Sequence, residues 1–126
     1  MSDDRLVIRA SEMTDTGRRD GGRFCLVQRD RLGLGEVSVG VSDNPSGTEV
    51  ATHRHSCGEL FVVYEGRGVY TIDETEIVAM PGDIVIVPPN TWHSFRPDAG
   101  MSLRHVAAYD SGHVTIEFAT GRVISS

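Results

Sequence analysis

The sequence predicts an all-β protein built as a sandwich or barrel of short strands. Fourteen glycines and five prolines punctuate the 126 residues at close intervals. The apolar runs between them are short, and no window shows a convincing helical period. Short strands separated by turn signals at this spacing are typical of all-β sandwiches and barrels.

The first predicted strand is the alternation of Val37, Val39 and Val41 with small residues, a pattern typical of a half-buried strand. The preceding segment Ser11–Gly22 is polar and rich in Gly, Asp and Arg, which indicates a loop or arm.

The middle of the chain predicts a hairpin. Leu60–Tyr64 is rich in β-forming residues and runs into the turn Glu65–Gly68. Val69–Ile72 follows and is predicted to be the hairpin partner of that strand.

The remaining strands are separated by proline and glycine signals. Pro81-Gly82-Asp83 ends one strand, and Pro88-Pro89 ends the most apolar run. These predicted strands are Glu76–Met80, Ile84–Val87, Ser102–Tyr109 and His113–Ala119. Ile124–Ser126 is interpreted as the end of the chain, without an element of its own.

Composition narrows the function classes. The chain is 39% hydrophobic and 24% charged, which is typical of a globular protein. All twelve basic residues are Arg, so lysine Schiff bases, pyridoxal phosphate attachment and a P-loop lysine are excluded. The net charge of −6 makes nucleic acid an unfavourable partner.

Without an apolar run long enough for a bilayer or a leader, we expect a soluble cytoplasmic protein with no membrane partner.

Four side chains form a pattern that strand geometry can bring together. His53 and His55 are two residues apart, so on a strand both leave the same face. Glu59 opens the next predicted strand, and His93 follows the Ile84–Val87 strand. If the sheet folds back on itself, three imidazoles and one carboxylate converge inside it.

Such a set suits a divalent transition metal. Imidazole binds iron, nickel, copper and zinc, and a carboxylate extends the choice to manganese. Four protein ligands close a tetrahedral zinc site but leave open positions on an octahedral ion, where a substrate, O₂ or water can bind.

These residues resemble the two motifs of the cupin superfamily. Gly47, His53, His55, Glu59 and Gly66 match every fixed position of the first motif, G-x5-H-x-H-x3-E-x6-G. The second motif, G-x5-P-x-G-x2-H-x3-N, is matched at the positions Gly82, Pro88 and His93. Asn90 replaces its second glycine and Pro97 its asparagine; Asn also tolerates a left-handed turn.

The resemblance implies a cupin double-stranded β-helix, a jelly-roll barrel, over one domain spanning 1–126. In this interpretation 1–23 is an N-terminal strand or arm with a loop, and 47–97 is the motif-bearing core. It also implies a homodimer and a metal bound by His53, His55, Glu59 and His93. It does not imply a reaction, since similar proteins include dioxygenases, oxalate-degrading enzymes, sugar isomerases, polyketide cyclases and binding domains.

Further site residues follow from strand parity. Phe61, Val63 and Phe95 share parity with the ligands, so we expect them to line an apolar pocket around the metal. His105 shares an inward parity with Leu103 and Ala107. Trp92, next to His93, is a pocket candidate, and packing at the barrel rim is an equal alternative for it. The catalytic candidate is Glu59, which could accept a proton when it leaves the metal.

These observations predict a metal-dependent enzyme, foremost a dioxygenase, acting on an enolate, hydroxy-ketone or carboxylate. Iron or manganese is favoured over nickel or zinc, and no organic cofactor is expected. One alternative is a non-redox isomerase, cyclase or lyase using the same metal. The other is a protein that binds a small ligand without catalysis.

Overall fold

The computed structural model describes residues 6–125 and confirms the all-β prediction. A 3₁₀ turn at Ala10–Glu12 and a four-residue helix, α1 (Arg29–Leu32), accompany the strands. The strands are β1 (Arg23–Val27), β2 (Ser38–Asn44), β3 (Val50–Arg54), β4 (Glu59–Gly66), β5 (Gly68–Ile72), β6 (Thr75–Ala79), β7 (Ile84–Val87), β8 (His93–Pro97), β9 (Leu103–Tyr109), β10 (Thr115–Phe118) and β11 (Val123–Ser125). Across the described range, no helix has the length and apolar character needed to cross a bilayer.

The strands form two antiparallel sheets. The five-stranded sheet has the order β1-β2-β9-β4-β7, and the six-stranded sheet has the order β11-β10-β3-β8-β5-β6. Their facing sides enclose one hydrophobic core that draws on both sheets. Its buried members are Phe61, Val63, Tyr70, Ile72, Ala79, Val85, Val87, Phe95, Leu103, Ala107, Tyr109 and Val114.

Strand β2 turns its small polar residues towards the interior. Ser38, Gly40, Ser42 and Asn44 are buried, whereas the valines between them are only half-buried. Ser42 pairs with His105 of β9, and both side chains are fully buried. The strand was predicted correctly, but valine content does not identify its inward face.

The predicted hairpin between Leu60–Tyr64 and Val69–Ile72 is wrong. Both segments are strands, but β4 pairs with β7 and β9, while β5 pairs with β6 and β8 in the other sheet. The chain therefore crosses between the sheets at Gly66–Gly68. Gly66 permits this crossing, since its φ of +84° lies in the left-handed region and its backbone lies close to the carbonyl of Ser102.

Three elements were missed by the sequence analysis. β1 extends the five-stranded sheet, the α1 turn lies between β1 and β2, and β11 pairs with β10 where a plain chain end was expected. Each is three to five residues long, and too short for a hydrophobic period to be recognised.

The N-terminal arm is fastened to one end of the barrel by Arg18. Its guanidinium binds the Asp20 carboxylate at 2.6 Å and hydrogen-bonds the side chain of Asn44, which is buried at the end of β2. Asp15 adds a bridge to Cys25 of β1. The predicted loop character of Ser11–Gly22 is confirmed for most of its length.

The β5–β6 hairpin has an unusual turn. Asp73 and Glu74 have φ values of 47° and 72°, in the region that two-residue hairpin turns require and that glycine or asparagine normally occupies. The amide of Asp73 donates a hydrogen bond to the carbonyl of Trp92 at 2.9 Å, which fixes the turn against the start of β8.

Gly66→Ala should be far more destabilising than Gly100→Ala. Both glycines have positive φ, but a Cβ at Gly66 would lie 1.9 Å from the Ser102 carbonyl oxygen, whereas a Cβ at Gly100 meets nothing within 4 Å. We expect a loss of about 1 kcal/mol for Gly100→Ala from backbone strain alone. The loss for Gly66→Ala should exceed that by at least about 2 kcal/mol. Urea denaturation of both variants measures the difference, and equal losses would contradict the crossing described above.

Candidate metal centre

The two histidines of the first motif lie at the end of β3 and just beyond it. His53 is inside the strand and His55 follows its last residue, Arg54. Both side chains are buried, while Arg54 between them is half-buried and directed to the outer side. The predicted shared face of His53 and His55 is therefore confirmed, and that face is the barrel interior.

His93 reaches the same point from β8, where it pairs directly with His53. The imidazole centroids of His53 and His93 are 4.2 Å apart, and the ligand nitrogens of His53, His55 and His93 all lie within 4.8 Å of one another. Asn90, which replaces a motif glycine, has φ of 59° and donates its amide to the His55 carbonyl at 2.7 Å. This turn positions the start of β8 beside His55.

Each imidazole is oriented by its own backbone partner. Nδ1 of His53 contacts the Ala51 carbonyl at 2.7 Å, and Nδ1 of His93 contacts the Thr91 carbonyl at 2.8 Å. Nδ1 of His55 contacts the Thr115 carbonyl at 3.0 Å. A carbonyl can only accept, so Nδ1 carries the hydrogen in all three rings. In the neutral tautomer this leaves the lone pair on Nε2, where a metal ligand needs it.

Glu59, the first residue of β4, completes the cluster. Its Oε1 lies 3.3 Å from Nε2 of His55 and 3.0 Å from Nε2 of His93. Both contacts are short, yet all three atoms are buried without a hydrogen-bond partner. Buried polar atoms of this kind are costly unless another group satisfies them.

The charge state of the cluster suits a cation. Burial, together with the neighbouring His93, lowers the pKa of His53 to about 4, so this imidazole is neutral at pH 7. Burial alone would raise the pKa of Glu59, but the positive charge that the imidazoles of His55 and His93 carry when protonated outweighs burial and holds that pKa at about 2. A bound cation would take the place of those protons. One carboxylate charge therefore remains inside the barrel among imidazoles.

Tyr109 is a functional candidate that the sequence analysis placed only at the end of a predicted strand. It pairs with Glu59 across β4 and β9, and its ring lies 5.2 Å from the His55 ring. Burial and then the Glu59 carboxylate raise its pKa well above the usual value, so the hydroxyl stays protonated. Because residues two apart on a strand share a face, the predicted inward direction of His105 and Ala107 already indicated that Tyr109 points into the interior.

The predicted pocket residues fall into two groups. Phe61, Val63, Phe95 and His105 are all buried in the interior next to the cluster. The rings of Phe61 and His93 are 6.3 Å apart, and His105 lies 4.6 Å from both Phe61 and Phe95. Their role around a substrate remains a prediction.

Trp92 belongs to the second group. The guanidinium of Arg54 packs 4.4 Å from its ring centroid, on the outer side of the six-stranded sheet. Since neighbouring strand residues point to opposite faces, His93 turns inward where Trp92 turns outward. The six-stranded sheet therefore separates the Trp92 ring from the clustered side chains of His53, His55, Glu59 and His93.

His105 forms a second buried polar contact inside the barrel. Its Nδ1 lies 2.6 Å from the hydroxyl of Tyr70, and both side chains are fully buried. Burial lowers the pKa of His105 to about 4, so it is an uncharged hydrogen-bonding group at neutral pH.

The residues present fit a divalent metal ion. The ligand nitrogens of the three histidines lie within 4.8 Å of one another, and Oε1 of Glu59 lies within 3.3 Å of two of them. The imidazoles are held by backbone carbonyls, and the unsatisfied buried atoms would gain their missing partner. The absence of thiolate from the set distinguishes it from most structural zinc sites. Such a centre could bind and polarise an oxygen-containing small molecule.

Sequence comparison finds relatives with different roles. The chain is 38% identical over 66 residues to a quercetin 2,3-dioxygenase of Bacillus subtilis, covering 52% of this chain and 20% of that protein. It is 33% identical over 64 residues to auxin-binding protein T85 of Nicotiana tabacum, covering 48% of this chain and 34% of that protein. The chain thus spans from a fifth to about half of the curated relatives it matches.

Structural comparison supports the fold. A tomato vicilin superposes with a TM-score of 0.79 at 17% identity, covering 89% of this chain and 34% of that chain. The oxalate decarboxylase of Lactobacillus farciminis superposes with a TM-score of 0.74 at 11% identity, covering 91% of this chain and 34% of that chain.

A match to a family model identifies the family of this chain. Residues 41–107 match the family described as the cupin domain, a segment that includes His53, His55, Glu59 and His93. This range covers more than half of the chain, from the middle of β2 to β9. Together with the jelly-roll architecture, it shows that the chain belongs to the cupin family.

Proposed function

We propose that this protein is a metal-dependent enzyme of the dioxygenase type, acting on an enolate, hydroxy-ketone or carboxylate. The observation that carries the proposal is the buried group of three imidazoles whose ligand nitrogens lie within 4.8 Å of one another, with the Glu59 carboxylate 3.0 and 3.3 Å from two of them. The 38% identity over 66 residues to a quercetin 2,3-dioxygenase favours this reaction class over others.

In this proposal His53, His55, Glu59 and His93 hold one divalent ion, with iron or manganese favoured and nickel or zinc as alternatives. A redox-active ion would supply activation of O₂, whereas a redox-silent ion would supply only Lewis acidity. No organic cofactor is part of the proposal.

Glu59 has a second proposed role as proton acceptor. A carboxylate released from its cationic partners in an interior lined by Phe61 and Val63 would have a raised pKa, because burial then acts alone. Tyr109, whose hydroxyl stays protonated beside Glu59, is suited to return a hydrogen bond to that carboxylate. Phe61, Val63, Phe95 and His105 are proposed to shape the substrate pocket.

Two alternatives use the same centre. A non-redox isomerase, cyclase or lyase would need only the Lewis acid and the Glu59 base, and a decarboxylase is among the structural neighbours. A non-catalytic binding protein is favoured by the auxin-binding proteins among the sequence relatives. Oxygen dependence separates the dioxygenase from both.

A homodimer is part of the proposal. Four large apolar side chains are exposed on the outer face of β4 and β7: Val62, Tyr64, Ile84 and Ile86, with Ile86 70% exposed. A contiguous apolar face at the free edge of a sheet is a position where a second subunit would cover both the side chains and the edge. The partner in catalysis is a small molecule, with no role for nucleic acid or membrane.

The metal is the first property to measure. Protein purified without added metal or nickel affinity should contain about one equivalent of a divalent transition metal by mass spectrometry. His93→Ala should lose that metal, since it removes one of three imidazoles. His113→Ala is the control, because His113 is exposed and outside the cluster, and it should keep the metal. Metal-free wild-type protein that stays empty after reconstitution would remove the basis of the proposal.

Oxygen consumption tests the reaction class. With a panel of enolisable substrates, the wild-type protein should consume O₂ in a metal-dependent manner. Glu59→Gln should reduce the rate by roughly 100-fold or more, as expected for loss of a ligand and base. Glu76→Gln, an exposed carboxylate on β6, should leave the rate unchanged. Turnover that continues under nitrogen would favour the non-redox enzyme, and no turnover with bound ligand would favour the binding protein.

The dimer is tested at its proposed face. Light scattering should give a mass twice that of one chain, and Ile86→Arg should shift it to the monomer because it places a charge in the apolar interface. Leu34→Arg, at a position 63% exposed in the loop before β2, should remain dimeric. A monomeric wild-type protein would contradict this part of the proposal.

A further inference from the structure

A cavity lies on the outer face of the six-stranded sheet, behind the strands that carry His53 and His93. It has a volume of about 530 Å³, within the range of roughly 300–1,000 Å³ typical of small-ligand sites. Its lining residues are Thr52, Thr71, Asp73, Glu74, Trp92, His93, Ser94 and Ala119. We call it the outer groove. Of these lining residues the proposed reaction uses only His93, as a metal ligand.

The floor of the outer groove is a row of hydroxyl groups. Thr52, Ser94 and Thr71 come from β3, β8 and β5, which are adjacent in the six-stranded sheet. Ser94 pairs directly with Thr71, and both alternate with inward residues of their strands. A hydroxyl can donate and accept a hydrogen bond, so this row suits a ligand that itself carries several hydroxyl groups.

One wall of the outer groove is aromatic and held in place. The ring of Trp92 lines the cavity, and the guanidinium of Arg54 packs against it at 4.4 Å from the centroid. Arg54 is in turn bound to Glu117 at 2.5 Å. The Arg54 charge is therefore paired outside the groove, while Trp92 contributes a flat apolar surface of the kind on which C–H faces of a ring can pack.

The opposite wall is acidic. Asp73 and Glu74 are exposed at the tip of the β5–β6 hairpin, held there by a turn with two left-handed residues. Among the described residues the lining has two carboxylates and no Arg or Lys, so the groove disfavours an anionic ligand. Carboxylates accept hydrogen bonds strongly and thus suit the donors of a neutral polyol.

We propose that the outer groove binds a neutral saccharide. The row of hydroxyl groups, the Trp92 ring and the carboxylates of Asp73 and Glu74 together suit a sugar ring, which has one apolar face and hydroxyl groups around its edge. The hydroxyl, aromatic and carboxylate side chains face away from the buried histidines and Glu59. The proposal therefore does not depend on which reaction occurs inside the barrel.

The chain provides its own reporter for this test. Trp92 is the only tryptophan in the sequence, so intrinsic tryptophan fluorescence reports on the outer groove alone. Titration with D-glucose, D-galactose, D-mannose and N-acetyl-D-glucosamine should give a saturable change with at least one of them. Glucose 6-phosphate should bind more weakly than glucose, and glycerol should give no saturation.

Variants locate the site. Thr71→Val and Glu74→Gln should each weaken binding roughly fivefold, the effect of one lost hydrogen bond. Glu65→Gln, an exposed carboxylate on β4 of the other sheet, should leave binding unchanged. Glu74→Gly separates folding from binding: glycine relieves the left-handed strain and should raise the melting temperature, yet binding should weaken.

Three results would overturn the proposal. These are the absence of saturation with every neutral sugar, tighter binding of the sugar phosphate than of the sugar, and saccharide binding that none of the groove variants weakens. A response to alkylammonium ions in place of sugars would reassign the outer groove to cations.

Discussion

The hydrogen bonds from the three imidazole Nδ1 atoms to backbone carbonyls are the constraint on which the centre depends. Each bond fixes the tautomer and the ring plane, and so directs Nε2 of His53, His55 and His93 into the barrel. Two of the carbonyls, those of Ala51 and Thr91, lie two residues before their own histidine. The same short segments therefore supply both the ligand and the group that orients it.

This arrangement concentrates unsatisfied polarity at one point. The Glu59 carboxylate is ionised, while the His53 imidazole beside it is neutral. In a core of Phe, Val and Tyr side chains this would be costly without a cation, because a buried charge needs a partner. The apolar side chains and the clustered polar groups therefore belong to one site. The low dielectric of the apolar surroundings strengthens the attraction between the Glu59 carboxylate and a bound cation.

Strand alternation gives the six-stranded sheet two chemically different sides. His53 and His93 point into the interior, while Thr52, Trp92 and Ser94 beside them point out. Consecutive residues can therefore serve the inner cluster and the outer groove, and of the cluster residues only His93 also lines the groove. Arg54 and Glu117 form the ion pair that steadies the outer side of this wall. The five-stranded sheet has a different outer surface, which is apolar at β4 and β7.

Spacing along the chain was sufficient to predict the all-β class, the convergence of His53, His55, Glu59 and His93, and the inward direction of Phe61, Val63, Phe95 and His105, because strand parity and motif spacing are local properties. Local patterns could not show that β4 and β5 lie in different sheets, since a strand–turn–strand segment looks the same in a hairpin and in a crossing. Nor could they show that β2 buries its serines, that Trp92 faces outward, or that Tyr109 adjoins Glu59. Those facts depend on which strands become neighbours. Neighbours are chosen by packing between residues far apart in sequence, such as Ser42 with His105 and Gly66 with Ser102.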